Sequence, residues 1–154
     1  MPQAKRAVPT DAALVAQLLD AFNREFDTPS PGVALLTGRL QVMLAGDSLA
    51  ALLVDDVGIA VVSLRPNPWY DGPVALLDEL YVASDRRNQG LGTTLLRAAE
   101  AFARACGAEE MEINVESGDV DARRFYERHG YATTGPDQDE PALYYFRSLD
   151  LSGA

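Results

Sequence analysis

The sequence predicts a mixed α/β fold, a central sheet with helices on its faces. Three observations carry this reading. Apolar residues recur at helical spacing in four stretches. Six shorter apolar or alternating runs, set off by glycine, proline or acidic turns, read as strands. One of those runs leads straight into a glycine-rich turn and another helix. The order is α-α-β-β-β-α-β-α-β-β.

Taken in order, Thr10 followed by "DAALVAQLLDAFNREF" reads as a capped amphipathic helix, with Leu14, Leu18, Phe22 and Phe26 at i, i+4 spacing. "TPSPG" breaks the chain, and "GVALLTGRLQVMLAG" carries a second helical stripe. "SLAALLV", the turn "DDVG" and "IAVVSL" make a β-hairpin. "RPNPWYDGP" is a loop, because its prolines cannot donate to a ladder. "VALLDELYV" is mostly apolar and so predicts a central strand. From Leu91 a helix runs to Cys106, with Leu91, Leu95, Ala98, Phe102 and Cys106 on one stripe and Gly107 as its stop. That stripe makes Cys106 a packing residue. "MEINVE" alternates as a strand, Asp119 caps a shorter helix through His129, and Gly130 closes it. "YATTG" and "ALYYFRSL" predict a final pair of strands around the acidic stretch "PDQDEP". No repeat or linker divides the chain, so residues 1–154 are expected to form one domain.

Bulk properties narrow the function. The 154 residues are 47% hydrophobic and 23% charged, in the range of a globular domain. No apolar run reaches membrane-spanning length, and the N-terminal stretch lacks the apolar core of a secretory signal. The expected compartment is cytoplasmic. With one cysteine and one histidine, neither an internal disulfide nor a structural zinc site is expected. The formal net charge of -10 argues against nucleic acid as the main partner and suits a cationic small molecule or basic peptide.

The stretch "DRRNQGLGTTLL", residues 85 to 96, holds the first chemical signal. A strand, a glycine loop and a helix start together make an anion site, because the first helical N–H groups lack internal partners. Gly90 and Gly92 permit close approach, Arg86 and Arg87 add positive charge, and Thr93 and Thr94 offer hydroxyls. A Walker loop would need lysine where Thr93 stands. A dinucleotide fingerprint would need glycine where Leu95 stands. The pyrophosphate of coenzyme A is the third reading.

"LDELYVASDRRNQGLGTTLL" resembles the acetyl-CoA-binding segment of the GNAT family of N-acetyltransferases, whose loop reads Arg/Gln-x-x-Gly-x-Gly/Ala; Arg87, Gly90 and Gly92 fall on that motif. "DVDARRFYERHGY" resembles the family's Asn-x-x-Ala-x-x-x-Tyr-x-x-x-Gly-Phe helix. The resemblance implies a mostly antiparallel sheet splayed between its fourth and fifth strands, here residues 74 to 82 and 111 to 116. It implies that the main chain of Asn88, Gln89, Gly90, Leu91, Gly92 and Thr93 holds the pyrophosphate of acetyl-CoA. Leu80, Tyr81 and Val82 would pair with the pantetheine arm. A homodimer is also implied, through the last strands.

Acetyl transfer to a primary amine by direct attack needs a neutral nitrogen, and at pH 7 only about one in a few thousand lysine-like amines is neutral. The resemblance places Tyr126 on the family's catalytic acid. Glu79 is the candidate base, a mid-strand carboxylate expected on the side of Leu77 and Tyr81, with Asp78 on the opposite face. Glu112 and Glu116 are rivals, and Asn114 stands where some relatives carry a carboxylate. A backbone N–H near Leu80 or Tyr81 would meet the oxyanion. The family often has asparagine at Asp119; aspartate caps equally well but cannot donate an amide hydrogen bond to the coenzyme. Trp69 and Tyr70 are candidates for the acceptor pocket. Asp137, Asp139 and Glu140 would attract a cationic acceptor or stay solvated. No metal is required. The acceptor itself stays open among a small cationic amine, an amino-sugar, an amino acid and a protein N-terminus. A non-catalytic acyl-CoA-binding module is the alternative to an enzyme.

Overall fold

The computed structural model describes residues 2–152. The chain divides into two compact units, Met1–Ile113 and Asn114–Ala154. In the first, β1 (Ala4–Arg6) leads through a 3-10 turn at Pro9–Asp11 into α1 (Ala12–Glu25) and α2 (Val33–Ala45). The hairpin of β2 (Leu49–Val54) and β3 (Gly58–Arg65), then β4 (Val74–Val82), α3 (Leu91–Ala105) and β5 (Met111–Ile113), complete it.

The five strands lie in the order β1-β2-β3-β4-β5. The first three pairings are antiparallel, and β4 and β5 are parallel. β1 is too short to show a period in the sequence, yet it makes β4 and β5 the fourth and fifth strands. Their ladder stops at Leu77↔Ile113, so β4 runs on past its partner to Val82. The mixed, mostly antiparallel sheet is the expected one.

Helices cover both faces. The α1 and α2 side holds Val15, Ala16, Leu40, Leu53, Ile59, Val61 and Tyr81 in one core cluster. Val62, the neighbour of Val61, points to the opposite face, where α3 packs with Leu95 and Leu96 fully buried. Leu53 and Ile59 are 0% exposed, and burying each is worth roughly 1.5–3 kcal/mol.

Two helical stripes are rotated from the expected ones. The buried line of α3 runs Leu91, Leu95, Ala99, Ala103, a strict i+4 row, so Cys106 beyond it is exposed rather than packed. In α1 the buried residues are Ala12, Val15, Ala16, Leu18 and Asp20, while Phe26 lies past the helix end, 53% exposed, its ring edge-on to Phe22. Small alanines let the backbone approach the sheet, and a stripe drawn through the largest apolar residues misses them.

In the second unit α4 (Val120–Arg128) forms as expected, with Asp119 Oδ1 accepting from Ala122 N–H at 3.1 Å. The His129 imidazole sits 2.7 Å from the Phe125 carbonyl, which can only accept, so Nδ1 carries the proton there. The two final strands are absent among the described residues. A strand exists only where a neighbour takes its backbone hydrogen bonds; between these stretches Ala142 N–H donates to Thr133 O at 2.8 Å. Likewise "MEINVE" is ladder only through Ile113.

Candidate functional site

β4 carries a bulge. Val62 pairs with Leu77 and Val61 with Glu79, which leaves Asp78 as the extra residue. Paired residues share a face. Leu77 therefore goes with Val62 toward α3, while Glu79 and Tyr81 go with Val61 and Ile59 toward α1 and α2. The expected alternation held Glu79 with Leu77 and sent Asp78 to the far side. Instead both carboxylates line the same cleft, because the extra residue resets the period of two.

That cleft encloses about 370 Å³ within the first unit. Leu19 of α1 and Leu36, Leu40 and Met43 of α2 form one wall; Leu49 and Val61 form the sheet side. Arg39 of α2 joins Asp78 and Glu79 as the charged groups of the lining. Burial pushes the Glu79 carboxyl above the ordinary range, and the charge of Asp78 pushes it further. Burial raises Asp78 too, partly opposed by a hydrogen bond from Ser63.

Downstream, the chain turns through Ser84–Arg86 to the glycine loop. Asn88 (φ 60°) and Gly90 (φ 81°) are left-handed, and Gly90 caps α3. Among the described residues, the N–H groups of Asn88, Gln89, Gly90, Leu91 and Gly92 have no protein acceptor. Asn88 to Gly90 are exposed. Bare amides at a helix start fit an anionic diphosphate.

Arg87 is held from three sides. Its Nε donates to the Val82 carbonyl at 2.9 Å, its Nη2 meets Glu25 at 2.7 Å, and its guanidinium lies over the Tyr81 ring at 5.6 Å. The Tyr81 hydroxyl also donates to Glu25, at 3.2 Å, and its ring stacks on Phe22. Glu25, which no sequence pattern singled out, thus ties the end of α1 to the loop. Arg86 donates to the Gln89 side chain at 3.3 Å, and the Thr94 hydroxyl donates to the Gly90 carbonyl.

Trp69 and Tyr70 lie before the start of β4, whereas the glycine turn follows its end. Asn67 Oδ1 accepts from both of their N–H groups, and the Tyr70 hydroxyl donates to Glu110 at 2.7 Å. Neither residue lines the cleft, and Trp69 is 84% exposed. Glu112 is paired with Arg65 at 3.0 Å. In the second unit, Tyr126 is half-buried, edge-on to the rings of Phe125 and Tyr131, on the helix that Asp119 caps.

Residues 15–131 match the acetyltransferase (GNAT) family. The chain belongs to that family. This GNAT protein is 29% identical to an aminoglycoside N(6')-acetyltransferase type 1 of Stenotrophomonas maltophilia, over 98% of this chain and 96% of that one. It is 31% identical to an aminoalkylphosphonate N-acetyltransferase of Salmonella typhimurium, covering 79% and 88%. A crystal structure of a candidate acetyltransferase from Arthrobacter sp. FB24 superposes with a TM-score of 0.91 at 50% identity, covering 97% of each chain. This GNAT protein is therefore an acetyl-CoA-dependent N-acetyltransferase, and its acceptor is an amine.

Proposed function

We propose that this acetyltransferase binds a primary amine in the cleft beneath the β4 bulge, with Glu79 as the base and Tyr126 as the acid. The single observation that carries the reading is the bulge itself, which turns Glu79 into an apolar cleft on the strand that leads to the glycine turn. Bound acetyl-CoA supplies a thioester carbonyl open to attack and a thiolate to leave. Glu79, its pKa raised by burial, takes the proton that the amine must lose before its nitrogen bonds to the acetyl carbon. Tyr126 gives a proton to the departing sulfur as the C–S bond breaks, and the second proton shed by the acylated nitrogen restores the tyrosine. The main chain of 88 to 93 cradles the diphosphate, and Leu80, Tyr81 and Val82 border the pantetheine arm along the edge of β4 that has lost its neighbour. Asp119 caps α4, the helix that carries Tyr126.

Relatives named for an aminoglycoside and for an aminoalkylphosphonate span the acceptor chemistry, a polycation and an amine bearing an anionic group. The acidic net charge supports long-range attraction of small cationic amines, and we assign the protein to the cytoplasm. The whole chain works as one domain, a reading supported by the family match that runs across Ile113. Exposed Tyr145 and Phe146, each 84% accessible, support a homodimer.

Thiol release from acetyl-CoA against an amine library tests the reading. Glu79→Gln is expected to lower kcat/KM about 100-fold. It also removes the acidic limb of the pH profile, since activity must rise as pH climbs through the raised pKa of an ionising base. An unchanged limb in that variant excludes Glu79. Tyr126→Phe is expected to lower kcat by about 10- to 100-fold with little change in acetyl-CoA KM; wild-type kcat would exclude the acid role.

A further inference from the structure

The cleft is not uniformly acidic. Arg39, an exposed residue of α2, lines it on the face shared by Leu36, Leu40 and Met43. Every other arginine of the first unit is engaged, by a carboxylate, an amide side chain or an aromatic ring. Arg39, among the described residues, has no such partner, and no oxygen of Asp78 or Glu79 lies within ion-pair distance of it. The apolar lining between them supplies no counter-charge. An unpaired guanidinium beside an apolar lining suits an oxyanion, whose two oxygens it grips with two parallel N–H donors. A simple polycation would meet repulsion from Arg39, and an uncharged amine would leave it unused. At about 370 Å³ the cleft sits at the small end of the roughly 300–1,000 Å³ typical of ligand sites.

We infer that the acceptor is a small zwitterion, an amino acid or aminoalkylphosphonate, whose amine lies at Asp78 and Glu79 and whose carboxylate or phosphonate is bound by Arg39. This rests on the placement of the acceptor amine proposed above. Arg39 acts as a specificity-determining residue: it touches the far end of the acceptor and takes no part in proton transfer.

The test compares kcat/KM for matched trios: amino acids and aminoalkylphosphonates of graded chain length, the corresponding amides or esters, and the amines lacking the anionic group. The wild-type enzyme is expected to favour the anionic member of at least one trio by about 10-fold or more. Arg39→Gln is expected to collapse that ratio by roughly 10- to 100-fold. Arg39→Lys keeps part of it, and Arg39→Glu inverts it toward the amine. Circular dichroism and an unchanged acetyl-CoA KM confirm that each variant is folded. A wild-type enzyme with no preference for the anion overturns the inference, as does a preference that survives in Arg39→Gln. Both results leave acetylation in this cleft standing. Turnover of amines that is untouched by Glu79→Gln sinks the underlying placement instead.

Discussion

Single residues in this protein are constrained by their backbone surroundings. A Cβ added to Gly72 would run into the carbonyl of Gly107, while one added to Gly90 meets nothing within 4 Å and suffers only from the positive φ of 81°. Left-handed backbone costs an L-residue roughly 1–2 kcal/mol. Gly90→Ala should thus lower the thermal midpoint by a few degrees, and Gly72→Ala clearly more, since backbone must move; calorimetry on the pair checks the order. Asp20, only 7% exposed, is a second case. Arg24 Nε donates to one oxygen at 2.7 Å and Ser30 Oγ to the other, so α1 is pinned to the loop before α2. The hydrogen bonds from Arg24 and Ser30 hold its pKa below the ordinary value. A depressed carboxylate contributes stability above its unfolded pKa of about 3.9 and loses it as pH falls through the folded value. Denaturant midpoints should show Asp20→Asn less stable at pH 7, with the gap from wild type shrinking below pH 4. Glu79 has the opposite sign: its raised pKa means the native state holds the proton longer. Stability therefore falls as pH rises from about 4.3 to that raised value.

At the scale of elements, the sequence made most of the fold visible where a long stripe or a long apolar run left one choice. The α1–α2 pair, the β2–β3 hairpin, β4, α3 and α4 all stand near their expected bounds. Misreadings arose where the deciding interaction lies outside the segment. β1 exists because Arg6 and its neighbours find Leu52 to Val54 across the sheet. The expected C-terminal strands have the right residue types, but no ladder forms on them among the described residues. The bulge left no mark on local composition: "LLDEL" reads as plain alternation, and only the register against Val61 and Val62 reveals the extra residue. The glycine turn was legible because φ > 0 and close approach demand glycine itself, whereas Arg39 and Glu25 looked like ordinary surface charge on helices.

For the molecule as a whole, net charge speaks only to long-range attraction. The surplus of acidic residues favours cations at long range, but a Debye length of about 8 Å at physiological salt confines each cleft to its own few charges. Local composition decides what binds, and the cleft holds both signs. The added residue at position 78 also has a bearing on how this chain can be compared and altered. It works as a parity switch within one strand. Upstream of it, odd positions such as Ala75 and Leu77 belong to the α3 layer; downstream, odd positions such as Glu79 and Tyr81 belong to the other. Excising that one amino acid would make Leu77 and Glu79 consecutive opposite Val62 and Val61, restoring plain alternation while the strand's last four side chains keep the layers they now have. A loop graft or alignment that ignores this offset would assign every downstream side chain to the wrong layer.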